Sequence, residues 1–377
     1  MANQLSYWEI TSFLDFDVII IGSGIVGLNA AIHLKKTAPF LKVAVLESGF
    51  LPSGASTKNA GFACFGSISE LMEQERLGGF DTLYNLIEKR WKGLLKLRKI
   101  LGDKAIDYQP LGGYELFKND DISLYETCVA KIEHYNQLIK PIIGDDTFSV
   151  DNEKILQFGF KGANGLIANC YEAQIDTGKM MLSLIQYAQS FGCCIFNNCK
   201  VDEIVYCDKI LVKTKHGNFS AKRIIVTTNA FVNNLVADLD VKPGRGQVLV
   251  TKPIKNLKIS GTFHYDRGYY YFRNINDRVL LGGGRNLDFA TEETIELGLT
   301  TTIQDALEKL LREVILPDTA FEIDYRWSGI MGFGNQLEPI IKQTSPNVFC
   351  AVRCNGMGVA IGSQTGEEVA DLVLRSL

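Results

Sequence analysis

The feature that most constrains this chain is a strand–turn–helix unit near its start. Asp17–Ile21 (DVIII) is an apolar run behind a single acid, the pattern of a parallel strand buried on both faces. Gly22-Ser23-Gly24-Ile25-Val26-Gly27 follows, and then Ile25, Leu28 and Ile32 recur at helical spacing. The first glycine permits a tight turn, the second lets backbone approach a pyrophosphate, and the third lets helix and strand pack closely. The helix N-terminus would face the phosphates with free N–H groups and the positive end of its dipole. Lys42–Leu46 (KVAVL) reads as the second parallel strand, completing a βαβ unit that ends on Glu47 and Ser48. A carboxylate there can accept both hydroxyls of an adenosine ribose. The unit points to an adenine dinucleotide, and NAD and FAD remain open.

The segment Pro52–Gly61 (PSGASTKNAG) comes next, and seven of its ten residues are small. Such a loop, holding Gly54, Ala55, Ser56, Thr57, Asn59, Ala60 and Gly61, offers N–H groups and hydroxyls to a cofactor running past the pyrophosphate; a flexible surface loop would look the same.

A chain of 377 residues is long enough for two domains, with the 46% hydrophobic and 22% charged residues of a globular protein. Its 35 glycines include short clusters, which suggests backbone brought close to something or many tight turns. A net charge of −4 without a Lys/Arg stripe excludes nucleic acid as the main ligand. The N-terminus lacks the pattern of a secretory signal, and no apolar run approaches the roughly 18 residues of a membrane span. Nine cysteines without metal-like spacing fit reduced, buried thiols in a cytoplasmic protein, and no metal is expected.

Helices are expected over 69–101, 122–139, 177–191 and 291–314, with a last one around Val369–Val373. Strands are expected at 112–117, 194–197, 210–214, 223–227, 247–251, 269–273, 278–281 and 348–352. The βα pattern at both ends and mixed sheet between predict an α/β fold with a Rossmann-type dinucleotide domain and a discontinuous, mixed-sheet (α+β) substrate domain. The expected boundaries are 14–75, 150–235 and 325–377 for the former, and 76–149 and 236–324 for the latter.

Taken together, these motifs resemble the D-amino-acid oxidase/sarcosine oxidase superfamily of FAD-dependent amine oxidoreductases, which includes glycine oxidase and γ-glutamylputrescine oxidase. The resemblance rests on the Gly22–Gly27 turn with Glu47, on Gly54–Gly61, Val201–Ile204, Ile225–Ala230 and Pro243–Gln247, and on Trp327-Ser-Gly329 and Asn355–Gly358. It implies FAD, with Val201 facing the adenine and Thr228, Asn229 and Ala230 close to the cofactor. It also implies that Gly329, Asn355, Gly356, Met357, Gly358 and Val359 lie against the flavin ring. A helix N-terminus would then face the part of the ring where negative charge develops on reduction.

The chain departs from the family pattern in three places. Ile330 stands where sarcosine oxidases carry the cysteine that attaches FAD, so non-covalent FAD is expected. Leu280 or Leu281 stands where they carry an oxygen-activating lysine, so the electron acceptor, oxygen or another, is open. Met331 stands near the position of the arginine with which D-amino-acid and glycine oxidases hold a substrate carboxylate. Arg273 and Arg326 are the substitutes, Arg273 preferred, since either offers a bidentate fork. Tyr269 and Tyr271, two apart on a strand, would share a face and wall an amine pocket or pack in the core. His264 is the one histidine expected near that pocket.

The implied chemistry is oxidation of a C–N bond in a small amine or amino acid (an N-methyl amino acid, D-amino acid or polyamine derivative). Hydride transfer gives an imine that water hydrolyses. Two alternatives are oxidation of a hydroxy acid or polyol phosphate, and a redox partner or sensor in which Cys64 reports.

Overall fold

The computed structural model describes residues 5–206 and 209–377. Two eight-stranded sheets organise them. The first has a parallel centre in the order Val348–Val352, Gly217–Val226, Asp15–Ile21, Val43–Leu46, Cys194–Phe196. Its strands are apolar on both faces, as the DVIII run predicts, because helices cover one and the strands 201–205 and 210–214 with the segment 229–241 cover the other. On one face Val18, Ile20, Val43 and Val45 pack with the first helix (Ile25–Thr37), the helix Thr177–Ser190 and the closing helix (Gly358–Leu374). The first and closing helices touch through Gly366, where a methyl would come 2.6 Å from the Val26 carbonyl.

The second sheet runs Ile323–Phe333, Lys242–Thr251, Arg278–Gly283, Tyr270–Ile275, Thr262–Tyr265, Gly113–Lys118, Ala163–Asn169, Phe148–Val150. Only the pairing of 262–265 with 113–118 is parallel. Its two faces differ. Leu249, Phe263, Phe272 and Leu281 bury against Leu307 and Leu311 of the helical segment 301–315. Val248, Val250 and Leu280 face the first sheet's loops, packing with Ala60, Phe62, Tyr271 and Trp327. The long helix Ile68–Leu101 connects the halves, capped by Ser67 and Glu70 and kinked at Gly79, whose φ of +77° breaks the helical run.

The structure corrects several expectations. Strands 148–150 and 163–169 and the strand Ile323–Phe333 belong to the second sheet, so the expected boundaries at 150 and 325 both fall in the wrong place. Local pattern identifies strands, but sheet membership depends on distant partners. The helix expected over 291–314 is instead a turn at Phe289–Glu292, an irregular stretch, and a helix from Thr301. Strand Tyr270–Ile275 begins one residue later than expected, which leaves Tyr269 in the preceding turn.

Candidate active site

The C-terminal ends of the parallel strands carry one row of groups. Gly22 has φ +106°, and a methyl there would sit 3.1 Å from the Thr227 carbonyl oxygen; at Gly27 it would overlap the Gly22 carbonyl. Backbone alone therefore dictates glycine at both positions. Glu47 is buried, accepting from the Ser23 N–H (3.1 Å) and hydroxyl (2.7 Å) through one oxygen, and from the Gly49 N–H (2.9 Å) through the other. Val201 opens a strand just beyond the loop that Cys199 ties to the Glu47 carbonyl (2.7 Å). Thr227 N–H bonds the Ile21 carbonyl (2.9 Å), which brings Thr228 beside the glycine turn. The Thr228 hydroxyl is buried with no partner among the described residues. Asn229 accepts the Arg353 N–H (3.0 Å), joining the two crossover strands.

The loop Gly54–Gly61 lies across this row. Ser56 accepts the Ile25 N–H of the first helix (3.0 Å), and Asn59 ties the loop internally by accepting the Gly61 N–H (2.9 Å). The loop then crosses the second sheet. The Lys58 stem lies over Gly329, the Lys58 carbonyl accepts the Trp327 indole N–H (2.9 Å), and the Phe62 ring meets Tyr271 at 5.8 Å. From the other side comes the turn Asn355–Met357, with φ +48° at Asn355 and +81° at Gly356, delivering the closing helix N-terminus. The Met357 sulfur lies 3.9 Å from the Cys64 sulfur.

Facing these loops, the second sheet presents glycines covered by larger side chains. Tyr271 lies over Gly282, with a methyl there reaching 2.6 Å from its ring; Met331 lies 2.8 Å from such a methyl at Gly246, and Phe333 2.6 Å from one at Gly244. The result is a low floor walled by an aromatic ring, a thioether and a phenyl, beside the ends of both cofactor-type loops.

Next to it is a buried charged cluster. His264 holds Glu172 through Nε2 (2.6 Å) and Glu70 through Nδ1 (3.2 Å), and its ring meets Phe62 edge-on at 5.4 Å. Burial by itself would strip the imidazole of its proton, but the Glu172 and Glu70 carboxylates outweigh that cost and hold its pKa well above the ordinary value. Glu70, despite burial, is held down to about 2 by His264 and the Ser67 donors. Glu115, bonded to Ser69, is pushed by burial, with Glu70 adding, up to about 7. Burial, with Glu172 adding, raises the Cys64 thiol to about 11, so it is a neutral thiol. Cys64, Glu172 and His264 place three donor atoms within 4.8 Å of one another, but both imidazole nitrogens already have carboxylate partners.

A family model described as "FAD dependent oxidoreductase" matches residues 17–372. The chain belongs to that family. Among curated relatives, the FAD-dependent enzyme is similar to gamma-glutamylputrescine oxidoreductase of Escherichia coli K12, at 22% identity covering 99% of this chain and 87% of the relative. It is also similar to glycine oxidase of Bacillus licheniformis, at 22% identity covering 95% and 93%. Among solved structures, glycine oxidase from Geobacillus kaustophilus shares the fold with a TM-score of 0.75 at 21% identity, over 96% of this chain and 95% of that one. L-proline dehydrogenase from P. horikoshii does so with 0.75 at 17%, over 96% and 94%.

The residues of this FAD-dependent oxidoreductase fit its cofactor. The orphaned Thr228 hydroxyl, the glycine turn with no room for a methyl and the first helix's N-terminus converge at the strand ends, where an extended dinucleotide would supply the missing partner. When bound, FAD supplies two-electron redox chemistry.

The candidates on the second sheet are placed unequally. Tyr271 is on the floor. Tyr269, outside the strand, stands at the rim with its ring 5.9 Å from Phe289. Arg326 points to the opposite face, bonded to Gln304 and to Glu308 (2.5 Å) of the helix 301–310, which removes it as a substrate group. Arg273 lies under the Gly61 turn, where Nη2 donates to the Ile175 carbonyl (3.0 Å) and burial lowers its pKa to about 10. A methyl at Gly61 would come 2.9 Å from that guanidinium. The sequence reading missed Glu172, Glu70 and Glu115, because nothing local marks an acid as buried.

Proposed function

We propose that the protein oxidises a C–N bond of a small amine or amino acid, using non-covalently bound FAD. The observation that carries this is the glycine floor under Tyr271 and Met331 beside the cofactor loops. It provides a shelf lined by an aromatic ring and a thioether, with no nucleophile–base pair among its lining residues, which suits chemistry in which the protein orients and shields while the cofactor reacts. The similar proteins support it: glycine, proline, γ-glutamylputrescine and, for a further fold neighbour, iminodiacetate are all C–N compounds.

In this reading the Gly22–Gly27 turn and the first helix's N–H groups hold the pyrophosphate, Glu47 the ribose and Val201 the adenine edge. Thr228–Ala230, Gly329 and Asn355–Val359 line the flavin end. Tyr271 and Met331 confine the substrate, and Phe62 keeps it from the charged His264 cluster. Ile330, buried at 3% exposure, offers no covalent attachment. Leu280, packed among Ala60, Val248 and Val250, puts hydrocarbon where an oxygen-activating cation would stand, which favours an acceptor other than oxygen. The neutral, buried Cys64 thiol weighs against the sensor alternative.

Anaerobic mixing with N-methyl amino acids, D-amino acids, polyamine derivatives and hydroxy acids tests the reading. Loss of the flavin band near ~450 nm with amines alone is the expected result, and bleaching by hydroxy acids alone overturns it. Acid precipitation should leave the flavin in solution, and oxygen uptake should be slow beside reduction of an artificial acceptor dye.

A further inference from the structure

We propose that the irregular strap of residues 285–300 is a docking face for a second copy of this chain, two straps packing face to face about a two-fold axis. The inference does not depend on the oxidation proposed above.

The strap is anchored on strand Lys242–Thr251 with its polarity reversed. Its inward side is polar. Glu292 is fully buried and accepts from Arg245 (2.7 and 3.0 Å) and Gln247 (2.9 Å). Gln247 also accepts the Thr300 N–H (3.0 Å), and the Ser328 hydroxyl accepts that of Gly298 (3.0 Å). The outward side is apolar: Leu287, Phe289, Ile295, Leu297 and Leu299 are between 45% and 57% exposed. Buried polar groups beneath an exposed apolar row are the opposite of an ordinary wet surface segment. Nor can the strap roll over to hide that row. Turning the leucines inward would pull Glu292 from Arg245 and leave a buried charge without its partner, which is strongly unfavourable. Cover must come from outside.

The size of the face fits a chain of the same kind. Phe289 meets the half-exposed Tyr269 ring at 5.9 Å, at the rim of the floor. With Tyr269 included, the exposed apolar area is on the order of 500 Å². That equals the largest apolar patch of a typical monomer. It also matches the apolar share, somewhat over half, of the roughly 800 Å² that each partner gives to a standard interface.

Charge and backbone favour a second copy as the occupant. Asp288, Glu293 and Glu296 outnumber Arg285 among the strap's unburied ionised groups, which sets it against an anionic bilayer surface. Two-fold packing is antiparallel, so it brings the Arg285 end of one strap against the Glu296 end of the other. Neither side chain has an ion-pair partner among the described residues, whereas Glu293 already pairs with Lys242 (3.4 Å). The N–H groups of Gly298 and Thr300 turn inward, and those of Leu297 and Leu299 make no hydrogen bond among the described residues. That outward edge can pair with its own copy, and one self-complementary face is all a two-fold dimer needs.

The test follows the full-length, FAD-loaded protein by sedimentation velocity across micromolar concentrations. A species of twice the chain mass is expected. Leu297→Asp and Ile295→Asp, each present twice in a two-fold contact, should weaken dimerisation about thirtyfold or more with flavin absorbance retained. Phe40→Asp, at an exposed phenylalanine outside the strap, should leave the mass unchanged. Amide exchange in the wild type keeps the test alive if neither strap variant holds FAD: the Leu297 and Leu299 amides should slow as concentration rises through the transition. A single-chain mass at every concentration, a dimer that survives both strap variants, or leucine amides that exchange alike in monomer and dimer would each overturn the proposal. So would a monomer that sediments with anionic vesicles, since lipid would then be the cover.

Discussion

At Gly27 an added methyl would strike the Gly22 carbonyl, whereas at Gly282 it would strike the ring of Tyr271. The glycine turn after the first strand is thus tight because backbone meets backbone, and the second-sheet floor is low because side chains lie across it. Backbone cannot yield without breaking the strand–helix junction. A tyrosine ring or the end of a methionine can rotate. The first surface is fixed by backbone sterics, and the second can be reshaped by side-chain rotation.

The largest effect that would break this comparison is at the turn. Gly27→Ala should abolish FAD retention, read as loss of flavin absorbance in the purified protein; a variant that keeps its flavin would show that the turn can adjust. Next in size, Glu172→Ala removes one carboxylate from His264 and leaves a buried cation half-paired. A loss of about 3 kcal/mol or more is expected in denaturant unfolding, because this cluster, unlike the floor, is already internally complete. A cost below about 1 kcal/mol would mean that water reaches it.

The pH dependence of the same cluster gives a smaller effect. Burial raises Glu115 to about 7 from its ordinary 4.5, so the folded protein keeps a proton that the unfolded chain loses. The native state therefore binds more protons between about pH 4.5 and 7, and this group makes stability fall as pH rises through that window, then level off. Glu115→Gln should remove that part of the slope. The difference in Tm between variant and wild type should move in the variant's favour from pH 4.5 to 7; a constant difference would place Glu115 in contact with solvent. The smallest effect is expected at the floor. Gly246→Ala should displace the Met331 methyl group, altering stability by less than about 1 kcal/mol and substrate KM by several-fold with FAD retained. If it instead releases FAD, the two surfaces obey the same rule.

The difference between the surfaces also explains which of them the sequence discloses. Gly22, Gly24, Gly27 and Glu47 lie within one βαβ unit, so spacing along the chain is spacing in the site. The floor draws Gly244 and Gly246, Tyr271, Gly282 and Met331 from four strands, whose order in the sheet no local pattern records. Tyr269 shows the cost of a one-residue error at a strand end: it leaves the floor for the rim. Arg326 and Arg273 both offered a fork in the sequence, Arg273 the preferred one, and only packing turned one toward Glu308 and the other under Gly61.

By itself, then, the sequence determined the glycine turn, the acid that follows it, the helices that flank the first sheet and the resemblance to an FAD-dependent family. These follow from steric limits on backbone and from short-range periodicity. The tertiary structure decided that Arg326 is tied to Glu308 and Arg273 to the Ile175 carbonyl, that His264 is held between two carboxylates, and that Cys64 is a neutral thiol. Each of those depends on desolvation and on charges brought together from residues as far apart as 70, 172 and 264, and a linear pattern carries neither.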